Sequence, residues 1–227
     1  MKKIGMVIAM EEELTSFLKK QTADIKEKHV GAFKVLEFAL GKCEVTCVKS
    51  GVGEIFAAAA TQYLITTVKP DAIINFGVCG SLTPDLKVEK VALVKGVVHY
   101  GFDTSALDNV EAGRYVQFDS TVIPCDENLL EKVRKVSGEK LPEVICASAD
   151  KFVADNAEKK SLREKYGASI CEMESAGVLI TCKNAGVPCL IVKAVSDGEG
   201  GAEEFNELVR TASEKYVNLI GRLCEEL

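Results

Sequence analysis

The sequence predicts an α/β fold in which helices cover both faces of a central sheet. Short apolar runs typical of buried strands alternate along the chain with amphipathic stretches typical of helices. Hydrophobic residues make up 47% and charged residues 27% of the 227 residues, a balance that excludes a mostly disordered chain. Because no repeat, low-complexity tract or linker divides the sequence, we predict one domain spanning residues 1–227.

Glycine and proline signals separate the predicted elements of the first half of the chain. Gly41-Lys42 predicts the tight turn of a hairpin, and Pro70 precedes an apolar strand. The predicted strands are Ile4–Ala9, Phe33–Leu40, Glu44–Lys49, Ala72–Phe76 and Val91 to Tyr100, and the predicted helices run from Glu11 to Lys20 and from the glycine-rich segment 50–53 to Val68.

The second half begins with a polar segment, residues 101–124, whose weak periodicity predicts irregular structure. Helices are then predicted at Asp126–Val136, Asn156–Tyr166 and Glu174–Ala185, strands at Val144–Ala149, Ser169–Cys171 and Cys189–Val195, and a final helix from Glu203 to the C-terminus. Gly186 and Pro188 mark the end of the third of these helices.

The composition excludes several classes of partner. The net charge is −6 and tryptophan is absent, which disfavours binding to nucleic acid or to an anionic membrane surface. Nine cysteines occur without a CxxC pair or a histidine at zinc-ligand spacing, so we expect reduced, buried thiols and no metal site. No apolar run reaches the roughly 18 residues of a membrane span, and the N-terminus lacks a signal-peptide pattern. These features predict a cytoplasmic protein.

Ligands of α/β sheets usually bind at the carboxyl ends of strands. At two of the predicted strand ends, the acids or glycines are also explained by local structure without any role in binding. Glu11-Glu12-Glu13 follows the first strand, where carboxylates stabilise a helix N-terminus, and helix geometry lets at most one of them point steadily into a cleft. The glycines between Gly77 and Gly80 allow close approach of a ligand, but a tight turn explains them equally well. Neither they nor the glycine-rich segment 50–53 matches a phosphate-binding or dinucleotide-binding motif.

Two further strand ends carry carboxylates with a more specific chemistry. Glu172-Met173-Glu174 offers acceptors for the vicinal hydroxyls of a ribose, although helix-start charge and core filling also account for it. Asp197 directly follows a buried strand, and desolvation there raises a carboxyl pKa so that it holds a proton near neutrality. An Asx turn before Gly198 is the alternative explanation.

Taken together, these motifs resemble the nucleoside phosphorylase/nucleosidase superfamily, and most closely its methylthioadenosine/S-adenosylhomocysteine nucleosidases. The matching motifs, in chain order, are Met10-Glu11-Glu12-Glu13, Asn75-Phe76-Gly77-x-x-Gly80, Glu172-Met173-Glu174 and Ala194-Val195-Ser196-Asp197. The resemblance extends from residue 2 to the final helix. It implies a three-layer αβα sandwich with a mixed, barrel-like sheet, and hydrolysis of the bond between a purine and a ribose derivative.

The resemblance also implies roles for individual residues. Glu13 would activate a water molecule, and Asp197, oriented by Ser196, would protonate the purine N7 as the glycosidic bond breaks. The remaining positions would bind substrate. Glu174 would bind the ribose hydroxyls, and Met173 would pack against the sugar. Phe152 would stack on the base, whose edge the Val153 backbone would contact. Gly80 would contact the substrate through its backbone, and Val52 would line the pocket for the 5′ substituent.

Two positions depart from the pattern of these nucleosidases, and one segment matches it only in part. Val78 replaces a serine that helps to hold the nucleophilic water, and Lys193 replaces an arginine. The segment 99–107 matches only in part; in relatives it crosses a dimer interface to close the neighbour's 5′ pocket, a role that Leu107 would take here. The resemblance therefore implies a homodimer and leaves the 5′ group of the substrate open, with a futalosine-like nucleoside as an alternative.

The arginine content separates a hydrolase from a phosphorylase. The chain has five arginines, none of them in the loop after the first strand, where three glutamates would repel phosphate. We therefore predict that water is the co-substrate and that no cofactor is needed. Arg114 lies in the polar segment and could bind phosphate, so a phosphate-dependent purine nucleoside phosphorylase is an alternative. A non-catalytic nucleoside-binding protein is a third hypothesis.

Overall fold

The computed structural model describes residues 1–19 and 24–227, and in these ranges ten strands form one continuous mixed sheet flanked by eight helices. The strands are β1 Lys2–Ile8, β2 Lys26–Val30, β3 Phe33–Leu40, β4 Cys43–Lys49, β5 Ala72–Ser81, β6 Val91–His99, β7 Ile123–Pro124, β8 Glu143–Ser148, β9 Ile170–Glu172 and β10 Cys189–Asp197. The helices are α1 Glu11–Leu18, α2 Glu54–Thr67, α3 Ser105–Asp108, α4 Glu127–Val136, α5 Asn156–Tyr166, α6 Ser175–Ala185, α7 Gly201–Ser213 and α8 Val217–Glu226.

Five of the strands close into a barrel, and the others extend from it as an open sheet. In the barrel, β5 pairs with β10 in parallel, β10 with β6 antiparallel, β6 with β8 and β8 with β9 in parallel, and β9 returns antiparallel to β5. The open part continues from β5 through β1 and β4 to β3 and the edge strand β2. The mixed, barrel-like sheet that the sequence resemblance implied is therefore present.

Strand β5 belongs to both parts of the sheet and is buried along its whole length. Its first half pairs with β1, up to Asn75, and its last residues, Gly80 and Ser81, pair with β9. The predicted end of this strand at Phe76, and the interpretation of the glycines that follow as a tight turn, are wrong. The glycines remain in the strand because their missing side chains leave room for groups that approach from neighbouring elements.

Helices α2 and α6 pack closely against each other beside the sheet. Their close approach depends on Gly177, because a Cβ atom at this position would collide with the backbone carbonyl of Glu54. Helix α7 packs on α1, β5 and β10, and α4 packs on α8, β6 and β10. Among the described residues, no helix is both long and apolar enough to span a bilayer.

The structure corrects the sequence prediction at both ends of the chain. The strand Lys26–Val30 was missed because it is an exposed edge strand without apolar alternation. The single final helix is wrong: α7 ends at Ser213 and α8 starts at Val217, so that Tyr216 is buried against Phe76 with ring centroids 5.1 Å apart. Helix α1 ends at Leu18, and the predicted end of this helix, Lys20, lies outside the described residues.

Other predictions are confirmed with small shifts of boundary. The hairpin turns at Gly41, whose φ of +57° suits glycine. Helix Asn156–Tyr166 has the predicted bounds, and the segment 101–124 contains only a four-residue helix and a two-residue strand. All nine cysteines are buried and unpaired, as expected, and burial raises the pKa of Cys171 to about 12.

A helix-packing prediction follows from the glycines of α6 and α8. Gly177→Ala should lower the free energy of unfolding by about 1–3 kcal/mol, because backbone atoms of α2 cannot move aside as a flexible side chain would. Gly221→Ala is the control: a Cβ there meets no atom within 4 Å, so higher helix propensity should raise stability by up to about 1 kcal/mol. Urea unfolding measures both, and equal effects of the two substitutions would contradict the packing argument.

Candidate active site

A cavity of about 270 Å³ lies where the carboxyl ends of β1, β5, β9 and β10 meet. Every predicted site residue except Lys193 lines it: Glu13, Val52, Val78, Gly80, Phe152, Val153, Met173, Glu174, Ser196 and Asp197. These residues come from separate segments between positions 13 and 197, and the fold brings them into one cavity.

Glu13 is the one glutamate of the first-strand loop that turns inward. Glu11 instead pairs with Lys49 at the surface, at 2.8 Å. One carboxylate oxygen of Glu13 accepts backbone N–H bonds from Ala9 and Met10, at 3.2 and 3.0 Å, and the other accepts the Val78 N–H at 2.8 Å. Gly77 is required beside it, because a Cβ there would collide with this carboxylate.

Glu13 lies in the first turn of α1, but it is only 3% exposed. Burial raises the pKa of Glu13 above the ordinary value, while Lys193 and the three N–H donors act in the opposite direction. Hydrogen bonds from N–H groups favour the ionised form of a carboxyl. The three backbone donors therefore favour the carboxylate form of Glu13 and oppose the rise in its pKa that burial causes.

Val78 retains part of what the replaced serine would provide. Its side chain contributes an apolar wall to the cavity, while its backbone N–H fixes the Glu13 carboxylate. Valine at this position offers no hydroxyl to the cavity, but its backbone N–H still holds the Glu13 carboxylate.

Asp197 is held differently from Glu13. The Ser196 hydroxyl donates to its Oδ1 at 3.0 Å, and the Lys159 ammonium lies 3.3 Å from its Oδ2. Burial raises the pKa of Asp197, and Lys159 and Ser196 counteract part of this rise. The Oδ2 atom faces Gly80, where a Cβ would lie 3.0 Å away. A carboxyl with a raised pKa that faces a cavity can deliver a proton to a ligand there.

Lys193 lies behind the cavity wall and neutralises Glu172. Its Nζ is 2.8 Å from Glu172 Oε2, and both side chains are almost completely buried. Burial alone raises the pKa of Glu172, but Lys193 and neighbouring donors bring it below the ordinary glutamate value. For Lys193 the signs are reversed, because burial disfavours the charged ammonium and lowers its pKa. Glu172, Glu174 and Glu13 outweigh this effect and raise the pKa of Lys193 above the ordinary lysine value.

Among the described residues, no cation forms an ion pair with Glu174, in contrast to Glu172. Its Oε1 accepts the N–H of Gly53 at 2.9 Å, directly before α2. Burial and the neighbouring Glu172 raise the pKa of Glu174 to about 8. At neutral pH this carboxyl is mostly protonated, so it offers both a donor and an acceptor to ligand hydroxyls.

The start of α2 is fixed by groups from three other elements. Asp150 Oδ1 accepts the Glu54 N–H at 2.6 Å, and the Glu54 carboxylate accepts the Ser148 hydroxyl at 2.9 Å and lies 2.6 Å from His99 Nε2. Gly53 has a φ of +107°, and a Cβ atom there would lie 2.7 Å from Asp150 Oδ1, so a side chain would not fit. These contacts fix the Gly53 N–H in the position from which it donates to Glu174.

Sequence reasoning missed two side chains of the site. Phe205 from α7 lines the cavity beside Phe152, with ring centroids 5.6 Å apart in an edge-to-face arrangement. Lys159 reaches Asp197 from α5. The sequence offered no local signal for either, because both lie in amphipathic helices with ordinary composition.

The cavity wall offers little to bind a phosphate dianion. Among the described residues that line it, arginine is absent, and the one lysine, Lys151, pairs with Glu158 at 2.7 Å. Arg114 instead donates to the Phe118 carbonyl. A search of the described chain also finds no cluster of three His, Cys, Asp or Glu residues that could hold a metal ion.

The comparison with known protein families settles the family. Residues 3–227 match the profile of the phosphorylase superfamily. The chain belongs to the phosphorylase superfamily. It is 30% identical over 233 residues to an aminodeoxyfutalosine nucleosidase of Campylobacter jejuni, and 29% identical over 235 residues to a 5′-methylthioadenosine/S-adenosylhomocysteine nucleosidase of Shewanella pealeana. The alignments cover 100% and 99% of this chain and 100% of each relative.

A solved structure agrees with these relatives. The 5′-methylthioadenosine/S-adenosylhomocysteine nucleosidase of Helicobacter pylori superposes with a TM-score of 0.94 at 27% identity, covering 100% of this chain and 99% of that one. Its ligand is a pyrrolidinol bearing a 4-amino-5H-pyrrolo[3,2-d]pyrimidin-7-yl group and a prop-2-ynylthiomethyl group. The predicted superfamily, the nucleoside phosphorylase-like fold and the enzyme class, an N-glycosyl hydrolase, are confirmed.

The buried ion pair behind the cavity gives a stability prediction. Lys193→Met should lower the free energy of unfolding by about 3–5 kcal/mol, because Glu172 would keep a buried charge without a partner. Lys193→Arg, which retains the charge, is the matched control.

The double variant Glu172→Gln/Lys193→Met should be more stable than Lys193→Met alone, since no unpaired charge remains. Urea unfolding at pH 7 measures all three variants. If Lys193→Met costs less than about 1 kcal/mol, the pair does not stabilise the site as described.

Proposed function

We propose that this protein hydrolyses the N-glycosidic bond of 5′-substituted adenine nucleosides, releasing adenine and the ribose derivative. One observation carries the proposal: a single cavity contains two buried carboxyls that are held by different partners. Burial raises the pKa of both, but Glu13 accepts three backbone N–H bonds that favour its carboxylate form. Asp197 is held by one hydroxyl and one ammonium, and it lies beside Gly80 at the cavity wall. Two carboxyls with opposite protonation are what glycosidic hydrolysis requires.

In the proposed reaction, Asp197 donates its proton to N7 of the purine while the glycosidic electron pair moves to the base. Positive charge then develops on the sugar, as in other glycoside hydrolyses. Water attacks the anomeric carbon and gives its proton to Glu13. Ser196, which hydrogen-bonds the other oxygen of Asp197, orients the acid.

The rest of the cavity fits the two ends of a nucleoside. Phe152 and Phe205 form an aromatic wall for the purine, and the Val153 backbone and Gly80 read its edges. Glu174 binds the ribose hydroxyls, with Met173 packed against the sugar. Val52, 46% exposed at the rim of the cavity, contacts the 5′ substituent.

Two candidate substrate groups have support from relatives. The Shewanella pealeana relative is a 5′-methylthioadenosine/S-adenosylhomocysteine nucleosidase, and the Campylobacter jejuni relative is an aminodeoxyfutalosine nucleosidase. These names share an adenine nucleoside with a variable 5′ group, so we propose methylthioadenosine and S-adenosylhomocysteine as substrates and aminodeoxyfutalosine as the second candidate. Cleavage of methylthioadenosine would place the protein in methionine salvage.

Water is the proposed co-substrate, and no cofactor takes part. The absence of arginine from the described cavity wall and the acidic first turn of α1 around Glu13 both disfavour a phosphate dianion. A cytoplasmic location is proposed from the nine unpaired cysteines, which suit a reducing compartment.

The direct test is to incubate the protein with methylthioadenosine, S-adenosylhomocysteine or aminodeoxyfutalosine and to follow free adenine by chromatography. We expect release in phosphate-free buffer, with no increase when phosphate is added, and the ratio of kcat/KM values identifies the preferred 5′ group. Strict dependence on phosphate would establish the phosphorylase alternative. Binding of all three nucleosides without any release would establish a binding protein.

The acid role of Asp197 gives a mutational prediction. Asp197→Asn should lower kcat by about 10²–10⁴-fold, because the amide cannot donate an acidic proton to N7. Nucleoside binding, measured by calorimetry, should change little. Asp126→Asn is the control, since Asp126 caps α4 through a hydrogen bond that an amide oxygen also accepts. Wild-type turnover by Asp197→Asn would remove Asp197 from the mechanism.

The proposed homodimer gives a further prediction. Ile55 and Phe56 at the start of α2 are 76% and 53% exposed, and Leu107 in α3 is 88% exposed, which is unusual for large apolar side chains. Light scattering should give about twice the chain mass of 24.5 kDa, and Ile55→Asp should shift the particle towards the single chain. A wild-type protein that scatters as one chain at all concentrations would contradict the dimer.

A further inference from the structure

Lys159 is a buried cation that the proposed reaction does not yet use. Its side chain is only 5% exposed, and Asp197, 3.3 Å away, is the one carboxylate within 4 Å of its ammonium in the described part of the chain. The same ammonium also donates to the Gly198 carbonyl. Burying a lysine costs free energy unless its partner is well placed, so the contact with Asp197 needs an explanation.

The direction of approach separates Lys159 from the substrate-binding residues. Lys159 extends from α5 and lines a second, outer cleft beside Gly198, whereas Asp197 lines the catalytic cavity. The ammonium therefore contacts the acid from behind, outside the space that a nucleoside would occupy. It reaches Oδ2, the oxygen that faces Gly80 in the cavity, while Ser196 holds Oδ1.

We propose that Lys159 is a positioning residue for the reaction, whose ammonium holds Asp197 in place and stabilises the carboxylate that Asp197 becomes when its proton moves to the purine. This inference rests on the proposed function. The ammonium transfers no proton itself; Asp197 loses one to N7 and regains one from solvent after the base leaves. A charge that is already in place when negative charge develops lowers the barrier without further reorganisation.

The other charged and titratable groups around Asp197 do not provide this stabilisation. Glu204 from α7 accepts the Gly198 N–H at 2.6 Å and adds negative charge nearby. Cys79 and Cys171 from β5 and β9 face Asp197 as buried thiols, and burial raises the pKa of both. Lys159 is thus the cation among the described groups that face Asp197.

Loss of Lys159 should change the acid strength of Asp197 in a defined direction. Burial raises the pKa of Asp197, and Lys159 and Ser196 lower it, so removing the ammonium leaves only the Ser196 hydrogen bond to oppose the rise. A nearby opposite charge shifts a carboxyl pKa by about 1–3 units. The alkaline limb of the kcat profile, where Asp197 loses the proton it must donate, should therefore move upwards when Lys159 is replaced.

The test compares Lys159→Met, Lys159→Arg and Lys160→Met by pH profiles of adenine release. For Lys159→Met we expect the alkaline limb to move up by about one pH unit or more, with kcat at pH 7 lowered about tenfold and KM nearly unchanged. Lys159→Arg should restore the limb and most of kcat. Lys160→Met, at the exposed neighbouring position, should behave as wild type.

A binding measurement supplies a readout that needs no turnover. An adenine nucleoside analogue built on 5H-pyrrolo[3,2-d]pyrimidine carries an N–H at the position of N7, which pairs best with ionised Asp197. Lys159→Met should bind this analogue about tenfold more weakly at pH 7, and should bind the 7-deaza analogue, with a C–H at that position, as wild type does.

The outcomes separate the two proposals. An unchanged alkaline limb and unchanged analogue affinity in a folded Lys159→Met protein would overturn the role of Lys159 and leave the nucleosidase intact. Lys159-dependent binding of the N–H analogue by a protein that releases no adenine would instead overturn the proposed function and keep the Lys159–Asp197 interaction. A wild-type protein that binds neither analogue would overturn both.

Discussion

The site depends on one buried cation shared among three buried carboxyls. Lys193 contacts Glu172 at 2.8 Å and acts electrostatically on Glu174 and Glu13 as well. One ammonium can neutralise only one carboxylate, so the others must find protons or hydrogen bonds. Glu172 forms the ion pair with Lys193, and Glu13 accepts three hydrogen bonds from backbone N–H groups. Glu174 is protonated at neutral pH, because its pKa is raised to about 8. The different tasks proposed for neighbouring acids follow from this division.

The fold supplies the geometry for that division through β5. This strand leaves the open sheet and enters the barrel, and its two glycines lie against the two carboxyls proposed to react: Gly77 against Glu13 and Gly80 against Asp197. Any side chain at Gly77 would push Glu13 away from the Val78 N–H. Helix α6 also fixes the start of α2, because Gly177 lies against the Glu54 backbone, and Gly53, directly before α2, donates to Glu174. This helix packing therefore helps to orient the carboxyl that we propose binds the ribose.

The sequence predicted most of the site because its chemistry lies at strand ends, where glycines and acids stand out from apolar runs. Glu174, Asp197 and Gly80 were found in this way, and the resemblance added Glu13, Phe152 and Val52. Lys159 and Phe205 were missed since they reach the cavity from helices α5 and α7, and only the tertiary fold brings them there. The exposed edge strand at residues 26–30 was missed for a related reason: its pairing with β3, and not its own pattern, makes it a strand.

The most direct test of this account is a carbon-13 NMR titration of protein labelled at the aspartate and glutamate carboxyls, assigned with Glu172→Gln and Glu174→Gln variants. The account predicts that Glu174 titrates near pH 8 and that Glu172 stays ionised below the ordinary glutamate pKa. In Lys193→Met, Glu172 should acquire a raised pKa. A wild-type Glu174 that titrates near its ordinary value, or a Glu172 that titrates above Glu174, would contradict the division of charge on which the proposed chemistry rests.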